Sequence, residues 1–492
     1  MGRCGKAKLL FPTRYNPPMQ YVSTRGHQPL GTFTDVLLSG LAPDGGLAMP
    51  ERISTFSAAE LERLRELPYV ELAYEVMHPF ISDIPEDDLR ELLRRTYRAE
   101  VFGSEDITPL TALGDSGLYL LELSNGPSLA FKDMAMQFLG HAFEYVLERE
   151  DRRVNILGAT SGDTGSAAEY AMLGKERVNV FMLSPQGRMS RFQQAQMYSL
   201  DEPNIFNIAV AGVFDDCQDL VKAVNADAEF KARYDIGAVN SINWGRVLAQ
   251  AVYYFKGYFA LNLPAGAEAD FCVPSGNFGN VFAGYLAREM GLPVGRLIVA
   301  SNENSVLHEF FSGGVYHVWP AERVAVTSSP SMDIGKASNF ERFLYLMADA
   351  DAGQVGTWWE EVAAGRPVDL RESAHWAAVQ ASGFAAGRSS HADRLATIRR
   401  VDTDFGRLID PHTADGVLVG ESFKRPGVPM VCLETALPAK FAETVREAVG
   451  REPARPARFA GIEERPRHFT ELPNDAEALK AFIAEKLGEW AQ

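Results

Sequence analysis

Cysteine is scarce in this chain: Cys4, Cys217, Cys272 and Cys432 are the only four, and none stand at metal-ligand spacing. That scarcity argues against a disulfide-stapled scaffold and predicts reduced thiols in a cytoplasmic protein with no resident metal. Positive charge is also short, with 48 basic residues against 65 acidic ones and a formal net charge of −17. No net positive field is present to release counterions from phosphates, so nucleic acid is excluded as the main partner. A local basic pocket for one small anion remains compatible with that balance. Long apolar runs are missing, which predicts no membrane span. The opening string MGRCGKAKLLFPTRYNPP has basic residues but no apolar core, so no secretion signal is expected. Position 6 holds neither Ser nor Thr, which argues against N-myristoylation.

What is present fits a soluble chain of two or three packed units, at 492 residues with 46% hydrophobic content. Residues 1–100 read as a helical N-terminal unit, with helices over 34–41, 57–66, 69–78 and 86–99. Between 105 and 305 the pattern alternates. Apolar strand candidates cover 118–123, 154–159, 178–183, 205–210, 269–274 and 296–301. Helical patterns cover 133–149, 165–173, 189–199, 216–227, 244–261 and 279–290. Strands without polar alternation imply burial on both faces, so the expected class is α/β with a doubly wound parallel sheet. Residues 331–404 read as a helical insertion whose aromatics, Phe340 to Tyr345 with Trp358 and Trp359, are core. A strand returns at 428–433, and a last helix spans 474–490. The expected division is therefore an N-terminal unit over 1–100, an α/β core over 101–330 and 405–492, and the insertion between.

Three turns and one lysine carry the chemistry. Gly158 to Ser166 joins a strand to a helix through small and hydroxyl residues, with Thr160, Ser161, Asp163 and Thr164 among them. Backbone N–H groups there can converge on a carboxylate or phosphate, helped by the positive end of the helix. No Lys-Ser/Thr pair follows the glycines, so the string is not a P-loop. Pro274-Ser275-Gly276-Asn277-Phe278-Gly279-Asn280 is a second strand-to-helix turn, placed where open α/β sheets bind ligands. Both turns are expected in one sheet. Asn240 to Arg246 precedes a long helix, and Arg246 can offer a bidentate fork to an oxyanion. Lys132, in Leu129-Ala130-Phe131-Lys132-Asp133, opens a helical segment. A snorkelling lysine would explain it alone. Beside two anion turns, it is a lysine able to form an imine next to a loop able to hold a phosphate, the minimum equipment for pyridoxal phosphate chemistry.

These strings, taken in order, resemble the threonine synthase family, fold-type II pyridoxal 5'-phosphate enzymes related to tryptophan synthase β. Further matches are Tyr21 to Gly26, Leu41 to Leu47, Ser329 to Ile334, Pro411 to Ala414, and Glu434 to Phe441. The resemblance covers most of the chain and implies a fold with a large and a smaller α/β domain. It implies that Lys132 is the cofactor lysine and later a proton shuttle. It implies that Gly276, Asn277, Phe278, Gly279 and Asn280 hold the cofactor phosphate and that Thr435 meets the ring nitrogen. Thr160, Ser161, Asp163 and Thr164 would line the substrate carboxylate, and Ser241, Asn243 and Arg246 would receive the substrate phosphate. The implied reaction takes O-phospho-L-homoserine and water to L-threonine and phosphate, in a monomer or homodimer.

Two departures stand out. Leu437 occupies a position where many relatives have His, and Asp163 stands where some fold-type II enzymes have Asn near the cofactor hydroxyl. Two other functions share the same residues: a phospho-lyase giving a 2-oxo acid, and a non-catalytic phosphate-binding protein.

Overall fold

The computed structural model describes residues 18–26 and 28–488. The opening segment and Cys4 lie outside them. Two separate parallel sheets form the body. One has six strands, in the order Phe384–Arg388, Val294–Ser301, Ala269–Pro274, Met430–Glu434, Leu118–Glu122 and Leu110–Ala112; the last pairing alone is antiparallel. The other has five parallel strands, in the order Thr470–Leu472, Ile205–Val210, Val178–Pro185, Val154–Ala159 and Ile236–Gly237. The two anion turns therefore belong to different sheets, not to one: Gly158 to Ser166 leaves the five-stranded sheet and Pro274 to Asn280 leaves the six-stranded one. The apolar runs are what the sequence pattern demands of strands covered on both faces. Every residue of Val178–Pro185, Ala269–Pro274 and Met430–Glu434 is buried.

The chain enters the six-stranded sheet, crosses to the five-stranded one, returns, and ends in the five-stranded sheet. The link is the helix Trp244–Ala260, most of whose residues are buried. It packs on Gly279–Glu289, on Asp133–Arg149 and on Tyr69–Met77. The N-terminal helices Phe33–Ser39, Ala58–Arg65, Tyr69–Met77 and Glu86–Thr96 fall close to their expected positions. Ser57 starts the second of these with a capping box, its hydroxyl accepting from Glu60 N while the Glu60 carboxylate accepts from Ser57 N.

Three elements differ from the sequence pattern. The N-terminal region also holds a three-stranded antiparallel sheet, Pro29–Gly31, Tyr21–Ser23 and Ala48–Pro50. Residues 331–404 are not wholly helical, because Phe384–Arg388 forms the edge strand of the large sheet. Thr470–Leu472 adds an edge to the other sheet. The aromatics of the insertion are core as expected, with Phe340 and Phe343 fully buried. Among the described residues, Cys217, Cys272 and Cys432 are buried and unbridged, no group of His, Cys, Asp or Glu could hold a metal ion, and no helix is long and apolar enough to cross a membrane.

Candidate active site

Lys132 caps the helix Asp133–Arg149. The turn before it is shaped by Asp133, a buried carboxylate that accepts from both the N–H and the hydroxyl of Ser128 at 2.8 and 2.7 Å. Leu129 adopts φ +60°, a left-handed conformation that a Cβ-bearing residue holds only where its surroundings impose it. They do so here. Leu437 N donates to Leu129 O at 3.1 Å and Phe131 N to Thr435 O at 2.9 Å. This short ladder brings Lys132 and Thr435 to one cleft although they are far apart in sequence.

The cleft is lined by Lys132, Asp163, Thr164, Ser241, Arg246, Gly276 to Asn280 and Thr435, and further by Gln250, Ser331 and His412. The Lys132 amine donates to Ser331 Oγ at 3.3 Å and lies 3.7 Å from Asp163 Oδ2. Burial lowers its pKa below the ordinary lysine value; Asp163 opposes that shift, while Lys440 and Arg246 add to it. Asp163 is itself held by Lys440 Nζ at 2.8 Å, Gln193 Nε2 at 3.1 Å and Ser331 Oγ at 3.0 Å. Burial alone would raise this carboxyl, but Lys440 and Lys132 together hold it well below the usual carboxylate range. Asp163 thus has lysine partners, which explains a carboxylate in place of an amide.

The second turn presents backbone rather than side chains. Phe278 sits at φ +64° as the N-cap of Gly279–Glu289, and its ring points away, into Phe311, Phe340, Phe343 and Phe384. Gly276 is a glycine for a steric reason: a Cβ there would stand 2.6 Å from the Ser331 carbonyl oxygen. The Asn280 amide oxygen accepts from Tyr253 and Tyr254, while its Nδ2, buried, has no partner.

Arg246, on the first turn of Trp244–Ala260, is 3% exposed and leaves Nε and Nη1 without a partner. Burial pushes its pKa down to about 10, which leaves it charged at neutral pH. An unpaired buried cation is costly unless an anion completes it. Gln250 Oε1 and Thr435 Oγ, both buried, are also unpartnered. Buried polar atoms without protein partners, converging on one cleft, suit a polar ligand.

Three expected residues do not line the cleft. Thr160 Oγ accepts from the N–H groups of Gly162 and Gly165 at 3.0 and 2.8 Å, so it shapes the loop. Ser161 is exposed. Asn243 has both amide ends occupied, accepting from Gly245 N at 2.9 Å and donating to Leu37 O at 2.8 Å, so it caps the helix and ties it to the N-terminal region. Conversely, Ser331, His412, Gln250 and Lys440 had no assigned role from sequence. The N–H of Ser331 donates to His412 Nε2 at 3.1 Å, which puts the imidazole proton on Nδ1, facing Asp410 Oδ1 at 2.8 Å. The strings around Ser331, His412 and Lys440 were visible as family matches; their contacts were not.

Two parallel α/β units meeting at a cleft with a helix-capping lysine define an enzyme of fold-type II. Profiles of the threonine synthase N terminus and of the threonine synthase C-terminal region match residues 20–97 and 413–483. A threonine synthase from Methylobacillus glycogenes is 55% identical over 476 residues, which is 95% of this chain and 100% of the relative. One from Corynebacterium glutamicum is 51% identical over 95% of this chain and 99% of its own length. A crystal structure of PLP-bound threonine synthase from Brucella melitensis superposes with a TM-score of 0.91 at 42% identity, covering 95% of this chain and 99% of that one. The chain belongs to the threonine synthase family.

Proposed function

We propose that this protein converts O-phospho-L-homoserine and water into L-threonine and phosphate, with pyridoxal 5'-phosphate as its cofactor. The observation that carries the reading is Arg246, a buried guanidinium that faces the same cleft as Lys132 and has Nε and Nη1 free. The residues present also fit the cofactor. Backbone N–H groups of Gly276 to Asn280, at the positive end of Gly279–Glu289, suit its phosphate. The orphaned Thr435 hydroxyl suits its ring nitrogen, and the Lys132 amine suits its aldehyde. When bound, pyridoxal phosphate supplies an aldehyde that takes up an amine and a conjugated ring that spreads negative charge from the substrate carbon.

Lys132 then serves as base and acid in turn. Burial enlarges the fraction of its amine that is neutral near pH 7, and Asp163 with Ser331 fixes its place. Thr164 and the N–H groups at the start of Asp163–Met172 hold the substrate carboxylate, in a loop that Thr160 braces. Arg246, with Ser241 and Gln250, receives the phosphate and stabilises its charge as it leaves Cγ. Protons given up at Cα and Cβ let the phosphate leave Cγ with the bonding pair; a proton delivered to Cγ makes the methyl, and water then adds its hydroxyl at Cβ while Cα regains its proton. The Thr435 hydroxyl would meet the ring nitrogen as a neutral partner rather than a carboxylate, which would temper the charge withdrawal that the ring supplies. The acidic net charge supports a small-molecule enzyme without nucleic acid, and we take it to be a cytoplasmic monomer or homodimer.

Purified protein loaded with pyridoxal phosphate and given phosphohomoserine should release L-threonine and phosphate in equal amounts. Predominant 2-oxobutyrate with ammonia would favour the lyase, and no product the non-catalytic reading. Gly276→Ala should weaken pyridoxal phosphate binding by about tenfold or more in a spectral titration, because the new methyl would strike backbone that cannot swing aside. Unchanged affinity would remove that loop from the cofactor site.

A further inference from the structure

The two segments assigned to phosphates, 240–246 and 276–280, are bridged by one buried side chain outside both. Asn339 is fully buried, and its Nδ2 donates to Ser241 O and to Asn277 O, each at 3.0 Å. Its own N–H also donates to Asn277 O at 3.0 Å. The neighbouring Ser338 hydroxyl donates to Asn277 Oδ1 at 3.0 Å. The close approach depends on Gly279, where a Cβ would stand 3.1 Å from Asn339 Nδ2.

Asn339 is in turn clamped. Arg342, fully buried, donates through Nη1 to Asn339 Oδ1. Its Nη2 reaches Ile242 O at 2.6 Å, and Nε and Nη2 both reach Ala48 O at 3.1 Å. This fixes which end of the amide points at the two carbonyls, since only Nδ2 can donate to them while Oδ1 accepts from the guanidinium. The cross-brace thus links the N-terminal sheet, the segment before the Arg246 helix and the glycine turn. Apart from the Ser338 hydroxyl, which holds the Asn277 side chain, every donor is on Asn339 or Arg342 and every acceptor is a backbone carbonyl or Asn339 Oδ1, so the brace sets backbone positions.

We propose that Asn339 is a positioning residue that fixes the spacing between the cofactor-phosphate turn and the substrate-phosphate segment, so that each anion binds more tightly when the other is in place. This rests on the assignment of those two segments under the proposed function. A rigid shared brace is the physical requirement for such coupling: ordering one loop around its anion also orders the other, which then has less freedom to lose.

The test measures two affinities that need no turnover. Pyridoxal phosphate is titrated into the apoprotein by absorbance, and inorganic phosphate into the pyridoxal phosphate-loaded protein by calorimetry. Asn339→Ala should raise both dissociation constants, each by about tenfold, the effect expected for losing two or three buried hydrogen bonds. Arg246→Leu should raise only the phosphate constant. Steady-state kinetics of Asn339→Ala should show KM for phosphohomoserine rising more than kcat falls. Asn339→Asp keeps the shape and removes both bonds donated by the side chain, so it supplies the same test if the alanine variant fails to fold. Both constants unchanged, with or without a lower melting temperature, would leave Asn339 a merely structural residue and overturn the proposal; a change in only one would overturn the coupling. Failure of the wild-type protein to form threonine would instead count against the proposed function.

Discussion

Lys132→Ala is expected to lower kcat for threonine formation by about 10³-fold or more, and to abolish fixation of pyridoxal phosphate by borohydride. Among the described residues, no other lysine lines the cleft. Lys440 Nζ also reaches Asp163, but it is fully buried and held by Ser128 O at 2.7 Å. Truncation also leaves Asp163 with Lys440 as its one remaining lysine partner, so the loop around it should persist and the protein should fold. Peptide mass mapping after reduction of the wild type should put the cofactor on Lys132. Near-normal turnover by Lys132→Ala would remove this residue from the chemistry.

The second large effect comes from a charge that has no partner. Arg246→Leu should lower kcat/KM for phosphohomoserine by about 10²–10³-fold, equivalent to roughly 3–4 kcal/mol of interaction with a phosphate. It should also raise the melting temperature of the protein without phosphate ligands. A buried guanidinium with two unpartnered nitrogens destabilises the unliganded fold, and a leucine of similar bulk does not. The two effects run in opposite directions, which separates this site from an ordinary core position, where truncation loses stability. Inorganic phosphate should stabilise the wild type against heat and leave Arg246→Leu unmoved. A variant that melts lower while keeping its KM would mean that Arg246 is structural.

Much of the α/β core was legible because its signals are local. Val178–Pro185 and Ala269–Pro274 are apolar throughout, and burial on both faces requires that. The glycine turns were legible because Gly276 and Gly162 occupy places where a side chain would collide or take a strained φ. What escaped was long-range. Phe384–Arg388 has neither alternation nor branched residues, and only the neighbouring strand Val294–Ser301 makes it a strand. The division into two sheets depends on pairings between distant segments, which no local period records.

The site followed the same division. Lys132, Arg246 and the 276–280 turn were singled out by their place at helix starts, and the fold brings all of them to one cleft. Thr160 and Asn243 were assigned to substrate, although Thr and Asn beside a helix start commonly bind local backbone N–H groups: Thr160 braces the loop through Gly162 and Gly165, and Asn243 caps its helix. Ser331 and His412 gained places only when segments far apart in sequence met at one cleft, and Asn339 only through its amide contacts with Ser241 O and Asn277 O behind that cleft.

The most direct measurement is to run the reaction in water enriched in ¹⁸O and weigh the products. If phosphate leaves by cleavage of the Cγ–O bond and water adds at Cβ, threonine should carry one ¹⁸O at its hydroxyl and the released phosphate none. Homoserine with ¹⁸O in the phosphate would mean hydrolysis at phosphorus, and would contradict the elimination and hydration assigned to Lys132 and Arg246.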